Sequence, residues 1–217
     1  MISSILHFCA THPFLLLFLM ITIPVLLVVL LVKRSPKRSM WLLLLPVIGV
    51  IGFIKGSDWN TSYVFKNGVN GTGVVISIEP TSVIVNHVPE YQYNCLIKTK
   101  EGKTLNAEFV NNNDIFYPQS DRWMLPAIGE EFSVKYIVGD EDNFIILTND
   151  QSSNYSKKVN CTELLEKIVS AQAAYNFDPS DKEKAKAFRS ILNQFLKGPC
   201  DENIKTAYRL VLEQMKD

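Results

Sequence analysis

Lys33-Arg34-Ser35-Pro36-Lys37-Arg38-Ser39 separates two apolar runs, and its reading decides the architecture. Before it lies Phe14 to Val32, nineteen residues without a charge; after it lies Trp41 to Ile54, fourteen more, extendable past Lys55 to Trp59. A helix needs about twenty apolar residues to cross roughly 30 Å of hydrocarbon, where only internal hydrogen bonds satisfy the backbone. The first run has that length. The second reaches it if Lys55 snorkels its ammonium to the headgroups. Short loops rich in Lys and Arg stay on the cytoplasmic side, so Lys33, Arg34, Lys37 and Arg38 are the expected topology determinants. The pattern predicts a transmembrane hairpin over 14–59 with its basic loop at 33–39 in the cytoplasm. Residues 1–13 and everything after the hairpin are then expected outside. Pro24 and Pro46 are expected to kink the two spans.

Charge is uneven although the net is zero. Gly56 to Asp150 holds thirteen acids against six bases, and the tail from Gln151 holds nine against eleven. An acidic middle lacks the basic face that phosphates require, which argues against a nucleic-acid partner. The four cysteines form no C-x-x-C pair, so the common zinc and thioredoxin-like patterns are missing. The N-terminus shows no basic n-region and no small-residue cleavage site, so the first span is expected to stay attached.

From Asn67 the apolar period shortens to two, and residues 60–150 read as a small all-β domain. Asn67-Gly68 and Asn70-Gly71 read as turns before the β-branched run Gly73 to Ile78. Ser82 to Val88 reads as a second strand. Tyr91, Tyr93, Cys95 and Ile97 alternate, as do Leu105, Ala107 and Phe109 beyond the turn Lys100 to Lys103, which predicts a hairpin. Ile128-Gly129-Glu130 turns into a strand with Phe132, Val134 and Tyr136 on one face. Asp140 to Asn143 is a further turn before Phe144 to Leu147. Short strands with Gly-rich turns predict a small antiparallel barrel or sandwich.

Gly73-Val74-Val75, Tyr91-Gln92-Tyr93, Gly102, and Pro126-Ala127-Ile128-Gly129 running to Val134-Lys135-Tyr136 form a set of motifs. This set resembles a widespread bacterial family of two-span membrane proteins carrying a β module classed as a domain of unknown function. The resemblance covers residues 67 to about 150 and the preceding hairpin. It implies a membrane-anchored β module in a bacterium and no established biochemical role. After Tyr136 the family commonly continues with prolines, where this chain has Val138-Gly139-Asp140.

The polar stretch 151–158 reads as a linker, and 159–217 as a three-helix bundle. Asn160 with Glu163 resembles a capping box, followed by Leu164, Ile168, Ala171 and Tyr175 at helical spacing. Asp178-Pro179 is expected to open a second helix striped by Phe188, Ile191, Leu192 and Phe195, stopped at Gly198-Pro199. Asp201 is expected to open a third, with Ile204, Tyr208, Val211 and Met215 on one face. Cys161 and Cys200 fall at neighbouring ends of an antiparallel pair, a spacing compatible with a disulfide in an oxidising compartment.

The fold class expected is therefore a membrane-anchored α+β protein: transmembrane hairpin, small β barrel or sandwich, and helical bundle. No catalytic, cofactor-binding or metal constellation stands out. His87 reads as a strand-face residue beside a turn, Cys95 as a buried small hydrophobe, and Glu130-Glu131 and Asp140-Glu141-Asp142 as solvated turn charges. Ile115 to Pro126 carries Phe116, Tyr117, Arg122 and Trp123, types enriched where proteins dock on partners. These four form a candidate docking patch, with core packing as the alternative. The function expected is a non-catalytic binding or scaffold protein of the bacterial inner membrane, termini in the periplasm, touching the lipid bilayer and a protein partner. The alternative is an immunity-type protein that neutralises a toxin acting on the membrane or periplasm.

Overall fold

The computed structural model describes residues 2–31, 44–85, 87–111, 115–118, 124–150 and 152–215. The basic loop with Lys33, Arg34, Lys37 and Arg38 lies outside them, as do Arg122 and Trp123. The protein is α+β: six helices and a six-stranded mixed sheet among the described residues.

Residues 1–13 are more than a short leading segment. Ile2–Thr11 forms helix α1, and Pro13–Leu31 forms α2, in which the helix continues through Pro24. The next helix, α3, runs unbroken from Leu45 to Asn67. Pro46 does not kink it, because it lies in the first turn, where a missing N–H has no partner to lose. α3 buries Gly49, Gly52 and Gly56. A Cβ on Gly49 would lie 2.6 Å from Met20 Cβ, and one on Gly56 would lie 3.1 Å from the Cys9 carbonyl oxygen. Those glycines let α2 and α1 approach the backbone of α3, the small-residue packing common between apolar helices.

Asn67-Gly68 is the end of α3 rather than a free turn, with the Gly68 N–H donating to Val64 O at 2.7 Å. β1 starts directly at Val69 and runs to Val85, merging the two strands expected at 73–78 and 82–88 into one. Bulges between Val75 and Ser77 and between Pro80 and Ile84 bend it, which is why the alternation is interrupted in sequence. Asn70-Gly71 lies within this strand and is no turn. β2 (Val88–Lys98) and β3 (Thr104–Val110) form the expected hairpin, with Gly102 at φ +84° in the turn. The remaining strands are β4 (Phe116–Tyr117), β5 (Glu131–Ile137) and β6 (Asp140–Leu147). The order is β3-β2-β1-β5-β6-β4. All neighbours are antiparallel except β4, which runs parallel to β6, so the sheet is mixed rather than purely antiparallel.

One sheet face buries Val75, Tyr93, Cys95, Phe109, Phe132, Val134, Tyr136 and Ile146. The sheet curls so that Phe109 of β3 meets Phe116 and Phe144 edge-on, each at 6.4 Å. On the opposite face, Ile145 and Leu147 pack under Val64 of α3. Lys135 Nζ donates to Phe65 O at 2.6 Å and lies over the Phe65 ring.

The stretch read as a linker at 151–158 is mostly the start of a helix. α4 runs from Asn154 to Phe177, capped by Ser153, whose Oγ accepts from Ser156 N at 3.1 Å. The capping box expected at Asn160 and Glu163 falls inside this helix. Asn160 Nδ2 donates instead to Ser156 O and Thr148 O. α5 spans Lys182–Lys197 with Asp181, not Asp178, as its cap; α6 spans Glu202–Gln214, capped by Asp201. Ile168, Phe188, Leu192, Phe195 and Met215 form the bundle core. A disulfide joins Cys161 to Cys200, with Cα atoms 5.1 Å apart.

Among the described residues no single helix is long and apolar enough to cross a membrane. Ile2–Thr11 and Pro13–Val29 reach that length only as a pair, bent by 101°.

Candidate functional site

Where α1 and α3 meet the sheet, side chains from three distant segments converge. Ser3 Oγ of α1 donates to Asp140 Oδ2 at 2.8 Å. Asn143 of β6 donates from Nδ2 to Ser3 Oγ at 3.3 Å and to Asn60 Oδ1 at 3.1 Å. Asn60 of α3 returns a bond from Nδ2 to Asn143 Oδ1 at 2.8 Å. The two amides thus pair reciprocally, with Asn143 buried. His7 Nδ1 lies 3.6 Å from Asp140 Oδ1, beyond hydrogen-bond reach. The segment Asp140 to Asn143, expected as a solvated turn, is thus divided. Asp140 and Asn143 bind α1 and α3, and Asp142 faces a cavity.

That cavity, about 770 Å³, opens beside this cluster toward the β3 edge. Its lining includes His7, Thr11, Asn60, Glu108, Asp142 and Phe144 and, among the described residues, contains no Lys or Arg. Asp142, amide groups and aromatic faces suit a cationic or hydrogen-bond-donating group better than an anion, while the Glu108 carboxylate already accepts from Gln92 Nε2 at 2.6 Å. Cys95 also lines it, but burial pushes its thiol up to about 12, and Sγ donates to Ala107 O at 3.3 Å. At neutral pH it is a thiol, not the thiolate that nucleophilic chemistry needs.

The aromatic segment takes a different place from the docking patch expected of it. Phe116 is a core residue, 1% exposed. Tyr117 stacks on Phe65 of α3 with ring centroids 3.9 Å apart. Its carbonyl accepts from Thr148 N at 2.9 Å. Tyr155 of α4 enters the sheet core and donates from its hydroxyl to Met124 O at 2.6 Å, which ties down the far end of the same segment. Burial, then the charge of Glu130, raises the Tyr155 phenol above its ordinary range, so it stays a donor. Phe116 and Tyr117 are therefore packing residues, while Arg122 and Trp123 lie outside the described residues. A second cavity, about 500 Å³, separates Phe116, Pro118 and Met124 from the α4 face carrying Val159, Glu163 and Ser170.

His87 sits in the β1–β2 turn at φ 66°. Glu130 accepts from Ala127 N at 2.8 Å and pairs with Lys158 of α4 at 3.1 Å. Among the described residues no group of three His, Cys, Asp or Glu is placed to hold a metal ion. Sequence reasoning missed the Ser3–Asn60–Asn143 cluster because Asn143 lies 83 residues from Asn60 and 140 from Ser3, and the three share no motif.

No protein-family model, no curated protein and no solved structure matches this chain.

Proposed function

We propose that the chain is a membrane-anchored binding or scaffold protein of the bacterial inner membrane. In this reading α2 and the first half of α3 are the anchor, and the sheet and the α4–α6 bundle are displayed in the periplasm. The observation that carries it is the change of environment along one unbroken helix. In α3, Val47, Ile48, Ile51 and Ile54 leave apolar side chains exposed, whereas Thr61 and Val64 are buried beneath the sheet. α2 likewise exposes Phe18, Ile21, Leu26 and Leu27, spread over the wide arc left open by its packing on α3 through Leu16 and Met20. Apolar helix surface left uncovered by protein over so wide an arc calls for a nonpolar surround. Among the described residues α2 alone falls short of a span; the apolar run that continues in sequence to Val32, twenty residues counted from Pro13, is what reaches roughly 30 Å if helical throughout.

The junction cavity is the binding element of this reading, its partner presenting a cationic or donor-rich group to Glu108 and Asp142. An immunity-type role is the special case in which that partner is a basic toxin. Topology is tested with paired C-terminal fusions in a bacterial host. Active alkaline phosphatase with dark green fluorescent protein is expected, and the reverse pair overturns the orientation. Recovery of the full chain in the alkaline-washed supernatant overturns the anchor itself.

A further inference from the structure

α1 sorts its side chains onto two opposite faces. Ser3 and His7, at i and i+4, and then Ala10 face the sheet, where Ser3 is hydrogen-bonded to Asp140 and Asn143. Ile2, Ile5 and Phe8, spaced by three, face away and are 62%, 55% and 38% exposed. At 100° per residue the centres of these two sets lie about half a turn apart. The helix is therefore polar towards the sheet and apolar on the side turned from it.

The direction of α2 gives that apolar side its surroundings. α2 leaves α1 at 101°. Leu16 then lies against Gly52 and Met20 against Gly49, so α2 runs back along α3, away from the half of α3 that the sheet covers. The underside of α1 and the exposed flank of α2 thus both lie on the side of the molecule turned away from the sheet. Where α1 crosses α3 at Gly56, the neighbouring residues are Lys55, paired with Asp58 at 2.9 Å, and the half-exposed Trp59. Trp and Lys are the residue types found at the headgroup level of a bilayer.

We propose that α1 is an in-plane helix whose Ile2, Ile5 and Phe8 sink into the headgroup–acyl boundary of the bilayer, while Ser3, bonded to Asp140 and Asn143, holds the β sheet directly above it. This rests on the membrane-anchor reading and adds a second lipid contact to it. The helix contains no Lys or Arg, so its apolar face and the sheet hold it rather than attraction to anionic lipid. Membrane contact and sheet position are thereby linked through one helix. The cavity lined by His7 and Thr11 is set at the membrane surface, open to a group arriving along it.

Spin-label accessibility tests this in the full chain, reconstituted in phosphatidylcholine nanodiscs. The background is Cys9→Ala, with Cys161 and Cys200 disulfide-bonded and Cys95 buried. Labels are placed singly at Ile5→Cys, at Leu26→Cys in α2 and at Phe177→Cys, the last a solvent reference on the bundle. Ile5 is expected to show an oxygen-to-nickel-chelate collision ratio several-fold above Phe177 and below Leu26, unchanged when anionic lipid is added. If Leu26 is lipid-exposed while Ile5 matches Phe177, the in-plane helix is overturned and the anchor stands. A label at Ile5 shielded from both reagents means that protein covers the face, which also overturns it. If Leu26 itself behaves as an aqueous site, the anchor fails and the in-plane helix fails with it.

Discussion

The sheet and the tail bundle are both closed around apolar cores, but by different means. In the sheet, aromatic rings interlock across strands: Tyr93 stacks on Phe109 at 4.9 Å, and Phe132 rests against Gly73, where any Cβ would strike its ring. In the bundle, a handful of residues such as Phe188 and Leu192 form a core between three helices, and a covalent tie from Cys161 to Cys200 supplements it. A small unit buries a smaller fraction of its surface, so it gains more from a constraint on its unfolded chain than from one more contact. The two units are joined by α4, which places Tyr155 in the sheet core and Ile168 in the bundle core.

The largest expected effect falls on the sheet. Phe132→Ala removes a ring that is 0% exposed, and its cavity should cost about 3 to 5 kcal/mol. Denaturant unfolding of the full chain in detergent, followed by a sheet-specific probe, measures it. A loss confined to the bundle would break the assignment of that ring to the sheet core.

Removing the tie should act on the other unit. Cys161→Ala with Cys200→Ala closes no loop across the 39-residue separation, and the expected loss is about 2 to 4 kcal/mol. Hydrogen exchange should accelerate at the amides of α5 and leave those of β5 little changed. Equal acceleration in both would mean that the bundle and sheet unfold as one.

Tyr155→Phe probes the junction. It leaves the Met124 carbonyl without its donor in a part-buried setting, at an expected cost of about 1 kcal/mol. Because the residue seats α4 in the sheet core, exchange should rise in β5 and in the first turns of α4 together. A change in the bundle alone would show that the helix is not seated in the sheet.

The smallest effect is a pH dependence specific to the bundle. The N–H groups of Lys184 and then Glu183 hydrogen-bond the Asp181 carboxylate and lower its pKa below the ordinary 3.8. The folded state therefore favours the charged form. The stability it contributes is fully present above the unfolded value and is lost as pH falls through the lowered folded one. Asp181→Asn keeps a good cap and removes the titration. The acid-side decline of α5 helicity should be shallower in that variant, while the sheet's profile is unaltered.

Residues with local signatures were placed well from sequence. The β2–β3 hairpin was legible because Tyr93, Cys95 and Ile97 alternate against Leu105, Ala107 and Phe109 around a glycine turn. The bundle stripes were legible for the same reason, at helical period. Boundaries were not. Asn67-Gly68 has the composition of a turn, yet it ends a helix that continues from the apolar half of α3. Residues 152–158 have the composition of a linker, yet Ser153 caps a helix there and Ser156 donates to Leu147 O at 2.7 Å. In each case a polar surface pattern was read as an absence of structure, although a neighbour covered the other face.

Sequence by itself determined the β2–β3 hairpin with its Gly102 turn, the stripes of the tail helices, the apolar runs on either side of the basic loop and the pairing-competent cysteines. These depend on periods of two or 3.6 residues and on backbone preferences, which act between near neighbours. Only the tertiary structure decided that Phe116 is core and Tyr117 stacks on α3. It alone decided that α3 and α4 pass unbroken between units, and that Ser3, Asn60 and Asn143 share one hydrogen-bonded cluster. Those outcomes depend on which surfaces meet across dozens of residues, and no local pattern encodes which polar side chain will find its partner that far along the chain.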